Sequence, residues 1–274
     1  MKTKKVLSSL SFSGKLLIGL CIIAPVVIGF SLSLMTLREL SSVPPRFLPQ
    51  VVDFYAYIEA LRLVPVFRFL ANSLVVCTIV MGAQVITCSL AAYAFAFFDF
   101  KFKRVLFIAV LSTIMIPVDS IIIANFLTIA NLYLLDSYAG LTLPFMTSAI
   151  GIFILRQFFL TIPKELHEAA VIDGCGHTRF LLSVVIPLSK PAIASLCVYI
   201  FIMTYNQFLW PLLVTNTTSM RTAQIGIAFL SDSEAVNYAV VLAASMMVLV
   251  PSILVFVLGQ KYLIKGMTAG AVKG

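Results

Sequence analysis

The chain has 274 residues, 61% of them hydrophobic and only 11% charged, with a mean hydropathy of +1.08 and a net charge of +8. A soluble domain carries about 25% charged residues, so this chain lacks the polar surface to cover a globule in water. Its natural solvent is a lipid bilayer, and its length suits one integral membrane domain over 1–274. The cations fall almost entirely between apolar runs, which assigns them to membrane orientation and not to nucleic acid.

A spanning helix needs about 20 apolar residues. Charges divide the chain into six such runs, near 16–36, 70–97, 105–129, 138–158, 191–213 and 238–259. The expected fold is an all-α integral membrane protein with six transmembrane helices. The N-terminal MKTKKVLSSLSFSGK imitates a signal peptide, but the apolar run from Leu16 to Met35 is too long for one and no A-x-A site follows it. It reads as a retained first span. The segment 37–68 holds Pro44-Pro45 and then FYAYIEALRLVPVFRF, which predicts an interfacial helix broken near Pro65. The second run is uncharged from Phe69 to Phe98, longer than a bilayer requires, so it must tilt or project.

With the N-terminus inside, the outer segments hold only Arg38, Arg46, Arg62, Arg68 and Arg221; the other 14 of the 19 Lys and Arg lie on inner segments. This bias puts both termini in the cytoplasm. The outer segment 214–237 is polar. Its Asn216-Thr217-Thr218 matches a glycosylation sequon, a match that chance explains equally well. Five cysteines, odd in number and without CxxC spacing, read as small apolar fillers.

No catalytic constellation is legible. Gly14-Lys15 lacks the upstream glycine of a phosphate-binding loop, no G-x-S-x-G is present, and no Cys or His pair has metal-ligand spacing. The one charge well inside an apolar run is Asp119, two residues after Pro117, which can break the third helix. Asp119 either lines a pathway or lies at the outer face where that helix ends early. A second polar cluster is Tyr205, Asn206, Gln207 and Trp210, with Pro211 able to kink the helix. Amides bond hydroxyl groups and rings stack on CH surfaces, so this cluster suits a hydroxyl-rich solute; equally, Asn206 and Gln207 can bond a neighbouring helix and Trp210 can anchor at the interface. Asn72, Ser73 and Gln84 in the second run carry a weaker version of the same pattern.

The longest inner segment, 159–190, contains TIPKELHEAAVIDG. Pro163 at the first turn, Glu165 at the positive end and Gly174 as a left-handed cap predict a helix of about eleven residues, or roughly 16 Å. So short a helix is marginal alone in water and needs a surface to pack on. Ala169 and Ala170 would let a groove approach its backbone, with Leu166 and Ile172 as apolar anchors. An interfacial helix lying on the membrane fits the same pattern. His167 and His177 are expected to be solvent-facing or interfacial loop residues.

Glu168-Ala169-Ala170, Asp173-Gly174, Phe180 and Ile186-Pro187-Leu188 resemble the EAA signature of the permeases of binding-protein-dependent ABC importers. Six spans, Asn72-Ser73 in the second and the ending KGMTAGAVKG extend the resemblance to the carbohydrate-type permeases. More narrowly, LDSYAGLTLPFMTSAIGIFILRQFFLTIPKELHEAAVIDG and YNQFLWPLLVTN are similar to permeases for sn-glycerol-3-phosphate and glycerophosphodiesters. The resemblance implies a transporter subunit, not an enzyme. It implies a cytoplasmic coupling helix between spans four and five, with Glu165, Glu168, Ala169, Ala170, Asp173 and Gly174 docking into an ATPase. The implied partners are a second, different permease subunit, an ATPase dimer that binds ATP and Mg, and an extracytoplasmic solute-binding protein. Cys175 departs from the pattern, which often has Ala there. An anionic solute would want Arg, Lys or a helix N-terminus, yet no Lys or Arg lies deep in a span. Local chemistry leaves a phosphorylated solute and a neutral mono- or oligosaccharide both open. A stand-alone carrier or channel would need intramembrane titratable groups, of which Asp119 is the single instance.

Overall fold

A computed structural model describes residues 2–231 and 238–268, with side chains described over 14–230 and 238–262. The end of the KGMTAGAVKG stretch, with Lys273, and residues 232–237 of the outer segment lie outside the described residues. Among the described residues all regular structure is helical. In chain order come α1 (Lys2–Ser33), the short α2 (Leu37–Leu40), α3 (Tyr55–Leu63) and α4 (Val66–Phe97). Then follow α5 (Lys103–Ser112), α6 (Ile122–Asn131), α7 (Tyr138–Thr142), α8 (Ala149–Phe159) and α9 (Lys164–Ile172). After α10 (His177–Phe180) and a π turn (Leu181–Val185) come α11 (Ile186–Leu188), α12 (Lys190–Tyr205), α13 (Leu209–Val214), α14 (Ala223–Ser231) and α15 (Tyr238–Thr268).

Three stretches are long and apolar enough to cross a bilayer as single helices: Gly14–Ser33, Val66–Phe97 and Tyr238–Tyr262. They match the first, second and sixth expected runs. Three more spans arise if bent pairs each count as one: Lys103–Met115 with Val118–Asn131 at 93°, Tyr138–Phe145 with Ala149–Phe159 at 51°, and His177–Leu188 with Lys190–Tyr205 at 78°. The bends have local causes. Ile116 precedes Pro117 and is pushed into an extended conformation (φ −82°, ψ 116°), which ends the first half of the third run.

The fifth run is not the single helix expected over 191–213. Pro211 can neither donate to the Gln207 carbonyl nor sit beside it, so α12 stops at Tyr205. The chain restarts as α13, where Pro211 falls in the first turn and its missing N–H costs nothing.

The chain divides into two compact units, Met1–Val66 with Gly226–Val250, and Phe67–Ile225 with Pro251–Gly274. In the first, α3 packs its Ala56 and Ala60 on Ala239, Val240, Ala243 and Ala244 of α15, a seam of small residues that lets helix backbones approach. The expected helix after Pro44-Pro45 is α3, and it breaks at Val64-Pro65 as anticipated. Ser33 and Tyr57 share a hydroxyl hydrogen bond of 2.8 Å, and Ser31 donates to the Phe47 carbonyl at 2.6 Å. Glu39 closes a capping box with Thr36 and accepts from the Gln50 N–H at 2.8 Å. Hydrogen bonds from the Thr36 and Gln50 backbone hold its carboxyl below the ordinary range.

In the second unit α4 is the organising element. Its 32 residues give about 48 Å of helix, well beyond the apolar thickness of a bilayer. Gln84 Nε2 donates to the Phe145 carbonyl at 2.7 Å, Thr87 Oγ1 to Met146 at 2.8 Å, and Cys88 Sγ approaches the Ser148 carbonyl at 3.4 Å. These are the carbonyls freed by the break between α7 and α8. Gly151 permits the approach, since a Cβ there would lie 2.8 Å from Cys88 Sγ. Ser148 caps α8 by accepting from the Gly151 N–H at 3.0 Å. At the far end of α8, Arg156 donates to the Phe95 carbonyl at 3.2 Å and lies 4.1 Å from the Phe107 ring centre.

Asp136 clasps the loop after α13 to the start of α7. Its carboxylate accepts from the N–H groups of Asn216 and Thr217, both at 3.0 Å, and from the Thr217 hydroxyl at 2.6 Å. Thr217, read in the sequence as part of a chance sequon, is thus half of this clasp. Burial pushes the Asp136 carboxyl up, but the Thr217 and Asn216 hydrogen bonds outweigh it and the net displacement is downward. A depressed carboxyl contributes stability that is present above its unfolded value, near 3.8, and is lost as pH falls through the lower folded value. Asp136→Asn is expected to lower stability by about 1 kcal/mol at pH 7, a hydrogen-bond magnitude discounted for solvent screening. The deficit should shrink below pH 4. Thermal unfolding in detergent at pH 7 and pH 3.5 checks both.

Candidate functional site

The loop after α8 builds the first candidate. α9 is a helix of nine residues, Lys164–Ile172, shorter than anticipated at its N-terminus. Pro163 has ψ 135° and stands just outside as the cap, so the helix begins one residue later. At the other end the N–H groups of Asp173, Gly174 and Cys175 bond the carbonyls of Ala169, Val171 and Ala170 at 2.8–3.0 Å. Gly174 has φ +68°, the left-handed conformation expected of it. A Cβ at Gly174 would meet nothing within 4 Å, so its backbone conformation is the constraint within this chain. Glu165, Glu168, Ala169 and Asp173 are exposed, and Ala170 is half-buried against the core. The apolar Val171 and Ile172 also face outward, Ile172 with 85% of its surface accessible. Nothing among the described residues covers this face.

The opposite face is held by the two histidines. His167 is half-buried and lies 5.0 Å from the Phe180 ring and 5.6 Å from the Phe97 ring. His177 stacks on it, with ring centres 6.0 Å apart and planes 24° from parallel. The sequence predicts solvent-facing or interfacial loop residues at both positions; His177 is exposed at the rim and His167 turns inward, and both lie in short helices, not loops. Sequence offers no sign of this pairing, because Tyr93 and Phe97 of α4, and Phe98 just after it, lie some 70 residues or more earlier.

The break after α12 builds the second candidate. Tyr205 is buried and stacks on Phe201 at 5.3 Å. Asn206 is exposed at the end of α12; its Nδ2 donates to the Ile202 carbonyl at 2.9 Å and its Oδ1 accepts from Gln224 at 3.4 Å. Gln207 is half-buried beside it. An open recess of 270 Å³ is lined by Ile202, Asn206, Ser252, Ile253 and Phe256. Of the four clustered residues only Asn206 reaches it. Ser252 and Phe256 carry no sequence signal, since they lie in an ordinary apolar run. Trp210 is buried, donates to the Gly140 carbonyl at 3.2 Å and packs edge-on against Phe145 at 5.9 Å. A Cβ at Gly140 would run into the Leu134 carbonyl, which is why that position is glycine.

Asn72 is buried near the start of α4. Its Nδ2 donates to the carbonyls of Ser219 and Arg221, both at 2.9 Å, and its Oδ1 accepts from the Tyr138 hydroxyl at 2.7 Å. Its donors are committed to the protein. Asp119 is exposed at the 93° bend of the third run. The structure therefore does not gather these residues into one pocket. Among the described residues no group of three His, Cys, Asp or Glu is placed to hold a metal ion.

A polytopic helical chain with bent apolar pairs and an exposed, capped helix between two of them defines a membrane transport component. Residues 54–268 match the family described as binding-protein-dependent transport system inner membrane component. The chain belongs to this family of inner-membrane transport subunits, which work with partner subunits and are not enzymes. It is 40% identical over 264 residues to the sn-glycerol-3-phosphate transport system permease protein UgpE of Agrobacterium fabrum, covering 92% of this chain and 93% of the relative. The protein of the same name from Rhizobium meliloti is 39% identical over 279 residues, covering 97% and 98%. Among solved structures, a bacterial ABC transporter involved in the import of the acidic polysaccharide alginate superposes with a TM-score of 0.85 at 24% identity, covering 96% and 98% of the two chains. That likeness supports the fold.

The Asn72 geometry yields a stability prediction. Asn72→Leu strands two carbonyls and the Tyr138 hydroxyl, at about 1–3 kcal/mol for a buried group left unpaired. A clear fall in Tm in detergent is expected, larger than that of Asn206→Leu, whose amide is exposed.

Proposed function

We propose that this chain is one of two different permease subunits of an ATP-driven importer for sn-glycerol-3-phosphate or glycerophosphodiesters. The solute reading rests on the 40% identity to a relative of that name across nearly the whole chain. The chain forms a single permease domain over 1–274, with six spans, three of them bent, and both termini in the cytoplasm. The partners are a second, different permease subunit, an ATPase dimer that binds ATP and Mg, and an extracytoplasmic solute-binding protein. α9 is the coupling helix, and its exposed face, with Glu165, Glu168, Ala169, Asp173 and Gly174, docks in a groove of the ATPase. The observation that carries this is a capped, nine-residue helix with Ile172 exposed and no cover among the described residues.

The pathway runs past the break after α12. Asn206 and Gln207 offer amides to hydroxyl groups of the solute. Tyr205, Trp210 and Asn72 shape that wall from behind, and Asp119 stands at the bend of the third run. The phosphate charge is met by the binding protein, the second permease or a helix N-terminus, since this chain places no cation deep in a span.

Reconstitution of the assembled importer in proteoliposomes tests this. Uptake of radiolabelled sn-glycerol-3-phosphate should resist excess maltose and be lost on ATP removal. Gly174→Trp and Glu168→Ala should cut uptake by about tenfold or more, equivalent to roughly 1.4 kcal/mol of lost coupling, with solute binding by the external protein unchanged. Gly174→Ala should be milder, about 1 kcal/mol for a left-handed residue with open space around it. Normal uptake by Gly174→Trp would sink the docking assignment, and full competition by maltose would sink the solute.

A further inference from the structure

We propose that His167 and His177 are positioning residues that seat α9 on the C-terminal end of α4, so that a push on α9 moves α4 and α10 with it. This rests on the reading of α9 as the ATPase-docking helix. A docking helix of nine residues that leans on nothing would swing about its ends under load. At its ends, Pro163 stands outside the helix without a side-chain cap bond, and the N–H groups of Asp173, Gly174 and Cys175 close on carbonyls of α9 itself. The load must therefore pass through a side contact.

α9 makes that contact through the His167 ring, with Ala170 packed against the core beside it. His167 lies against Phe97, from the last turn of α4, and Phe180, from α10. His177, the first residue of α10, stacks on it and stands edge-on to Phe98 at 4.5 Å. His177 Nδ1 is 3.1 Å from the Tyr93 hydroxyl, one turn further into α4. Phe97 and Phe180 close the set edge to face at 5.6 Å. Rings from three elements thus form one continuous cluster, and the Tyr93 bond fixes the orientation of the outer imidazole. Imidazole suits the place. It stacks like an aromatic ring, and its nitrogen edge tolerates the water at the exposed rim where His177 lies. From the cluster's Phe180 the chain enters the π turn, whose Leu181 and Val185 are buried and which leads toward α12, so the seat connects to the element that ends at Asn206.

The test is the number of ATP molecules hydrolysed per solute taken up by the assembled importer in proteoliposomes. His167→Ala should leave ATP hydrolysis within about twofold of the unmodified complex and lower uptake at least fivefold, within the range of known coupling effects. The ratio therefore rises. His177→Ala should move it the same way, and Tyr93→Phe less. His167→Phe keeps a ring in the seat and should restore the ratio; it also serves if His167→Ala fails to assemble. Equal losses of hydrolysis and uptake in His167→Ala, or a ratio in His167→Phe as high as in His167→Ala, overturn the proposal. Co-purification separates this from the underlying reading. If the unmodified chain brings down no ATPase, the docking assignment itself fails; if it does and the His167→Ala ratio is unchanged, only the seat fails.

Discussion

A carbonyl freed by a helix break in hydrocarbon has no water to turn to. Among the described residues the second unit holds three bent apolar pairs and a further break after α12, and part of its architecture follows from how the freed groups are served. The long, uncharged α4 supplies the donors: Gln84, Thr87 and Cys88 reach carbonyls between α7 and α8. Near its start Asn72 takes the carbonyls of Ser219 and Arg221, and the Ser73 hydroxyl accepts from the Ala223 N–H at 2.9 Å. Asn72, Ser73, Gln84 and Thr87 of this apolar helix are thus spent on the backbone of other segments, whereas Thr78 bonds the Leu74 carbonyl of its own helix. α4 stays straight, and its neighbours are able to bend.

What could be read in advance divides along the same line. Apolar runs, the Pro65 and Pro117 breaks, and the Gly174 cap are local, set by residues within a turn of the effect. The two breaks and the cap appear where the pattern places them; of the six runs, the first, second and sixth correspond to single apolar helices. The stop at Tyr205 was half legible: Pro211 signals a kink, but whether the helix bends or ends depends on which segments receive the freed groups. Thr217 is tied to Asp136 across 81 residues, and His167 to Phe97 across 70, so neither contact has a local signature. Asn72 shows the cost of reading polarity alone. A buried amide in an apolar run signals a partner without saying whether that partner is solute or backbone, and here it is backbone.

The break after α12 differs from the others in one respect. At the break between α7 and α8, and where Asn72 meets the loop after α13, the polar groups turn inward to other segments. At this one, Asn206 satisfies its own helix and still borders an open recess with Ser252. Amide and hydroxyl at the edge of an apolar hollow suit a small polyol backbone better than a phosphate, which wants a cation or a fixed row of N–H groups. On the proposed function a division of labour would follow: this chain would handle the uncharged end of the solute, and the charge would fall to the binding protein, the second permease or a helix N-terminus. Such division agrees with an importer built from two different permeases.

α4 also links the two candidate sites. Near its N-terminus it holds the loop after α13 through Asn72 and Ser73, and its last turns carry Tyr93 and Phe97 into the ring cluster beneath α9. A straight helix of 32 residues transmits displacement over its whole length without a hinge, because it has no proline and a single glycine, Gly82. The bent pairs packed on it supply the compliance. Under the proposed coupling, motion entering at α9 would have two routes to the break after α12: along α10 and the π turn, and through α4 to the loop that follows α13. The proposed seat of rings, with one imidazole held by Tyr93, would stand at the start of both, where a stiff junction is what a nine-residue helix needs to act on segments beyond its reach.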